Sequence, residues 1–194
     1  MATTSEMVQR LTTNWEACTR CVLHRARAKV VIGAGPVPAR VMLVGEAPGA
    51  DEDVLGLPFQ GRAGQKLREL ADLAGVDLET AYITNIVACR PPGNRVPLFD
   101  EIDGCRPRLD ALFKLVNPSV IVLVGGTAMT SLTGEQGITK KRGKWLKVKC
   151  SWKGMASEIP AIATWHPSGL LRTPDAEHEA QLVADLVEAF GRAA

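Results

Sequence analysis

The chain has 194 residues, a net charge of +2 and 46% hydrophobic side chains. That length sustains one core, and no break in composition divides it, so a single domain over 1–194 is expected. No apolar stretch approaches the roughly 20 residues of a membrane span, and the first residues are polar and acid-containing without a signal peptide's apolar centre, so a soluble, intracellular (cytoplasmic) protein is expected.

In chain order, the first notable feature is a C-x2-C pair, Cys18 and Cys21, followed by an acid-free window up to Glu46 that carries Arg20, Arg25, Arg27, Lys29 and Arg40. A second pair, Cys89 and Cys105, is spread over a loop around Pro91, Pro92, Gly93 and Asn94 and a helix. Four thiols in a reducing compartment are the donor set of a zinc site or an iron–sulfur cluster, or else plain buried thiols. The lack of a second C-x2-C knuckle favours the bulkier cluster, and Cys150 is not expected to be a ligand.

The run VMLVG at 41–45 reads as a buried parallel strand that opens into a Gly-rich loop, GEAPG. The loop is neither G-x-G-x-x-G nor a Walker loop, which disfavours dinucleotides and nucleoside triphosphates. A helix is predicted over 63–76, then a strand over 81–87 with Asn85 at its mouth. Its amide sets an acceptor beside a donor, the complement of a pyrimidine edge offering N3–H and O4, and a mismatch for cytosine; a turn or capping role is the plainer alternative. Residues 98–117 predict a helix in which Pro107 marks a break or a fresh start.

A strand over 119–126, a short helix over 127–134, a β excursion over 142–152, a strand over 159–167 and a closing helix over 175–193 complete the series. Alternating strands and helices predict an α/β fold, three layers (α/β/α) around a mostly parallel four-stranded sheet. A second acid-free window between Glu135 and Glu158 holds Lys140, Lys141, Arg142, Lys144, Lys147, Lys149 and Lys153. Most charge runs are solvated surface, yet two such windows in a near-neutral chain predict a positive face suited to a polyanion.

Ligands of open α/β sheets bind beyond the carboxyl ends of the strands. The loops to inspect are therefore 45–62, 85–97, 125–128 and 165–172, the last running Trp165-His166-Pro167-Ser168-Gly169-Leu170-Leu171-Arg172. A lone His is more often structural than catalytic, but the position of His166 after the final strand raises its standing.

GEAPG (45–49), LPFQGRAGQKL (57–67), YITNIVACRPPGNR (82–95), RGKW (142–145) and HPSGLL (166–171), together with the four cysteines, resemble the uracil-DNA glycosylase superfamily, and within it family 4, the iron–sulfur branch. The resemblance runs from Cys18 to Arg172. It implies a [4Fe-4S] cluster on Cys18, Cys21, Cys89 and Cys105, built from the N-terminal segment and the 89–105 loop. It also implies a uracil pocket in which Phe59 stacks on the flipped base, Asn85 reads its edge, the backbone of Gly45, Glu46 and Ala47 brackets the ring, and His166 hydrogen-bonds O2. By the same resemblance Leu170 is the wedge, Ser168 and Arg172 hold phosphate, Arg142 and Lys144 belong to the basic DNA-binding window, and Glu52 lies near C5 of the base. Ala47 stands where the most active branch carries a water-orienting Asp, which leaves Glu46 as the candidate for that task.

The expected activity is monofunctional excision of uracil from DNA by a monomer, since no lysine is placed as a Schiff-base nucleophile. The histidines are His24, His166 and His178, none within 60–100, which argues against the covalent DNA-crosslinking branch. Gln60 and Gly169 depart from the family's usual residues at the pocket rim. The alternatives are a same-fold glycosylase for another base and a noncatalytic iron–sulfur protein that binds DNA.

Overall fold

Strands that are apolar at every position belong in the middle of a parallel sheet, where both faces are covered. Strand β1 (Val41–Gly45) and strand β3 (Val120–Val124) are buried throughout and sit side by side in the centre. The computed structural model describes residues 4–152 and 155–193, and Lys153 lies outside them. Strand β2 (Tyr82–Asn85) flanks β1, while β5 (Met155–Thr164) flanks β3 and carries β4 (Trp145–Trp152) on its outer side, giving the order β2-β1-β3-β5-β4.

The sheet thus has five strands among the described residues, against the four expected. The added strand is the β excursion, which pairs antiparallel with β5 from Trp145↔Ile162 to Trp152↔Met155. Antiparallel neighbours need only a short return of chain, so the excursion joins the existing sheet edge. The other pairings, β1 with β2 and β3, and β3 with β5, are parallel.

Alternation along the strands sends residues to opposite faces. Met42, Val44, Ile121, Leu123, Ala161 and Ala163 point into one apolar cluster, closed by Leu109, Leu112 and Phe113 of α4 (Phe99–Val116) and Met129 of α5 (Gly126–Thr133). Val41, Leu43, Val120, Val122 and Ile162 point into the other, closed by α3 (Arg62–Ala74), α7 (Pro167–Arg172) and α8 (Ala176–Ala193). The three-layer arrangement follows. The remaining helices are α1 (Thr4–Glu16), α2 (Ala50–Leu55) and α6 (Ile138–Lys141).

Helix α4 runs unbroken through Pro107. The missing amide costs a bond to the Asp103 carbonyl, but Pro107 and Asp103 are both exposed, so water can replace it. Neither α2 nor α7 was foreseen in loops rich in Gly, Pro and Ser; each is a six-residue turn of helix at the sheet's carboxyl edge.

Candidate active site

The carboxyl ends of β1 and β2 stand in register, Gly45 opposite Asn85, and the loops beyond them open a cleft of about 550 Å³. Glu46, Ala47, Glu52, Phe59, Asn85, His166, Ser168 and Arg172 all line it. Gly45 is the point of convergence: a Cβ there would stand 2.5 Å from Asn85 Oδ1 and 2.6 Å from Phe59 Cζ. Only a residue without a side chain lets the ring and the amide approach each other at the sheet's mouth.

Asn85 is 2% exposed, and a neighbour absent from the sequence reading fixes its backbone. Arg108, fully buried on α4, donates to the carbonyls of Ile32 (2.9 Å), Ile86 (3.3 Å) and Asn85, and to Thr84 Oγ1 (3.0 Å). A guanidinium so enclosed needs acceptors on every side, and here carbonyls provide most of them. Its Nε has no partner among the described residues.

Phe59 holds a left-handed backbone, φ 52°, which is uncommon for a residue with a bulky side chain. Glu52 explains how that turn persists. One carboxylate oxygen accepts from the backbone N–H of Gln60 (2.8 Å) and Gly61 (2.9 Å), and the other from Gly49 N–H (2.9 Å). Arg68 adds a bond to the Phe59 carbonyl at 2.9 Å. Glu52 was expected beside C5 of a base; the structure turns both its oxygens to backbone amides, so it straps the first loop to the Phe59 turn while remaining in the cleft lining.

His166 caps α7 and lies with its ring centroid 6.3 Å from that of Phe59. Its Nδ1 is 3.2 Å from the Ser168 backbone N–H and 2.7 Å from Ser168 Oγ. A backbone amide can only donate, so Nδ1 is the acceptor and the proton resides on Nε2. Burial pushes the imidazole's pKa down to about 4; the Arg172 charge adds to the effect and Glu52 opposes it. At neutral pH the ring is therefore an uncharged donor through Nε2.

The remaining expected contacts divide. Ser168 lines the cleft but directs its hydroxyl and its amide to His166, while Arg172 lines the same cleft and is exposed. Leu170 is 4% exposed and packed in the second apolar cluster, so a wedge role would take it out of the core. Arg142 makes two bonds, 2.7 and 3.2 Å, to Asp185, which is itself 2% exposed, so its charge is already answered within the fold. Trp145 likewise docks on α8, donating to Glu188 (3.0 Å) beneath Arg192. The RGKW segment thus ties β4 to α8. Of the basic window, Lys141 pairs with Glu135 and Lys147 with Glu158, whereas Lys140, Lys144 and Lys149 are exposed and make no ion pair among the described residues.

Cys18, Cys21, Cys89 and Cys105 form no disulfide and line a single small cavity next to Trp15 and Arg27. Cys150 lies apart, buried against β4's own backbone. Among the described residues no three His, Cys, Asp or Glu are placed to hold a single metal ion. Burial pushes the Cys89 thiol up to about 11, and Arg27, whose Nη1 donates to Cys89 Sγ at 3.4 Å, pulls it back. Arg27 also donates to the carbonyls of Glu16 (2.7 Å) and Cys18 (2.8 Å), pinning the first cysteine segment to the second. Donors of this kind, gathered around one space with a cation to favour thiolate, fit a thiolate-bound cluster.

Residues 32–188 match the family model described as the Uracil DNA glycosylase superfamily. The chain is 39% identical over 191 residues to a type-4 uracil-DNA glycosylase of Thermotoga maritima, covering 97% of this chain and 96% of that one. It is 38% identical to the type-4 uracil-DNA glycosylase of Pyrobaculum aerophilum, with 90% and 88% covered, and 35% identical to that of Archaeoglobus fulgidus, with 84% and 82% covered.

Proposed function

The chain belongs to the uracil-DNA glycosylase superfamily and, within it, to the type-4 group, and from that premise we propose that it hydrolyses the N-glycosidic bond of deoxyuridine in DNA, releasing uracil and leaving an abasic site. The observation that carries the reading is the convergence of Phe59, Asn85 and a neutral, Nε2-protonated His166 on one cleft at the sheet's mouth.

The chemistry follows from these groups. Uracil swung out of the stack rests against the Phe59 ring, and the Asn85 amide pairs with its N3–H and O4, an order that cytosine reverses. As the glycosidic bond lengthens, positive charge builds on the sugar and negative charge on the departing base. The Nε2–H of His166 donates to O2, where that negative charge gathers, and a fixed donor in a sheltered cleft lowers the barrier electrostatically. Glu46, on the cleft lining beside Ala47, positions the water that attacks C1′. Arg172 on the cleft lining and the exposed Lys144 meet phosphate, and such contacts supply salt-sensitive affinity.

The whole chain acts as one monomeric unit. Cys18, Cys21, Cys89 and Cys105 would hold a [4Fe-4S] cluster that joins the N-terminal segment to the 89–105 loop; its chemistry there is structural. Among the described residues no helix is long and apolar enough to cross a membrane, and a substrate in DNA places the enzyme with DNA inside the cell.

A labelled oligonucleotide with one uracil tests the reading. Incubation with the protein should leave the strand whole until alkali cleaves it at the uracil position; a strand intact after alkali contradicts excision, and cleavage before alkali contradicts monofunctional action. A brown protein whose visible absorbance vanishes in Cys105→Ser supports the cluster.

A further inference from the structure

The loop from β2 to α4 sets an apolar lip against the cleft. Asn94, Arg95 and Val96 line the cleft, and the chain then carries Leu98 and Phe99 into solvent. Val96 is 56% exposed, Leu98 52% and Phe99 84%. Single exposed apolar side chains need no explanation, but three within four positions, the first of them on the lining of a binding cleft, do.

Hydrogen bonds hold the lip in a defined turn. Arg95 makes two bonds, 2.6 and 2.8 Å, to Glu101, a carboxylate with no exposure, and Glu101 accepts the Leu98 N–H at 2.8 Å. Arg90 Nε donates to Asn94 Oδ1 at 2.7 Å across the turn. Burying a carboxylate to hold a surface loop makes sense where that loop must present its side chains in a fixed geometry. Meanwhile Leu170 is packed in the core.

Resting on the uracil-excision reading, we propose that this lip, with Phe99 at its tip, is the surface that occupies the opened duplex. Phe99 stacks on the base exposed when the target nucleotide leaves the helix, while Val96 and Leu98 cover the adjoining base edges. Base faces are the fitting partner and phosphates are not, because Asp100 and Asp103 stand exposed beside Phe99 and would repel a phosphate. A flat aromatic ring stacks on any base, so the contact favours double-stranded substrate without favouring a sequence.

The test compares uracil release from a single-stranded oligonucleotide and from the same strand in duplex, uracil opposite guanine. Phe99→Ala should lower the duplex-to-single-strand rate ratio by about tenfold, the order expected for one lost aromatic–base stack, and Phe99→Trp should restore it. With 2-aminopurine beside the uracil, Phe99→Ala should also change the fluorescence of the bound duplex. An unchanged ratio in Phe99→Ala, or a selective duplex loss in Leu170→Ala with none in Phe99→Ala, would overturn the proposal. If the unaltered protein releases no uracil from either substrate, the excision reading fails, and the lip is judged by duplex affinity: weaker binding by Phe99→Ala supports it and equal binding overturns it. Phe99 is solvent-exposed, so its replacement leaves the core intact.

Discussion

At His166 the structure ties a protonation state to a task. Nδ1 accepts from the Ser168 amide, which leaves Nε2–H as the donor for the departing base, and His166→Ala should lower kcat by on the order of 10²–10³ while DNA binding persists, as measured by single-turnover release and by titration of labelled duplex. Because the folded imidazole titrates at about 4 rather than 6.5, the neutral donor survives mild acid. The rate attributable to this group should stay level from about pH 7 to about pH 5, whereas a limb near 6.5 would show a solvated, chargeable ring. The same shift has a stability consequence. A pKa depressed by folding favours the folded state above the unfolded value of 6.5, and that advantage is lost as pH falls through the interval down to about 4. Gly45 offers an independent probe. A methyl group there meets Asn85 and Phe59 at 2.5 and 2.6 Å, so Gly45→Ala should weaken uracil release by about 10–100-fold, the equivalent of ~1–3 kcal/mol of overpacking.

At the scale of elements, the strand ends and α4 do most of the positioning. Helix α4 carries Glu101, which fixes the lip; Cys105, which faces the thiol cavity; and Arg108, which holds the Asn85 backbone. These three tasks lie on successive turns of one helix, linking the cysteine site to the base-reading amide. At the opposite edge, the RGKW segment docks β4 onto α8. Removing Arg142 leaves Asp185 buried without its partner, so Arg142→Ala should lower the melting temperature, by about 3 kcal/mol of stability. Lys144→Ala should instead leave melting unchanged and reduce the salt slope of DNA binding by about one. A steep salt effect in Arg142→Ala without loss of stability would reverse these assignments.

For the whole molecule, the central strands and the alternation with helices are legible because apolar runs such as VMLVG and VIVLV must lie inside a covered parallel sheet. The fifth strand is legible as β but not as part of the sheet, since its partner is decided by the hairpin's return and not by its own periodicity. Asn85 and His166 can be placed because they stand at or just beyond a strand end, whereas Phe59, which lies past α2, is placed by the family resemblance alone. The burial of Leu170 and the pairing of Arg142 with Asp185 cannot, since both depend on how α7 and α8 pack, and Arg108 finds its acceptors on segments 22 to 76 residues away. What unites the parts is a sheet whose carboxyl edge gathers an aromatic face, an amide and a neutral imidazole in one cleft. Quantifying free bases released from matched duplexes carrying uracil, thymine or cytosine opposite guanine tests that claim most directly. Free uracil alone should appear, strongly reduced in His166→Ala and with both selectivity and rate lost in Asn85→Ala; no uracil from the unaltered protein, or release from both variants equal to that of the unaltered protein, would contradict this role for the cleft.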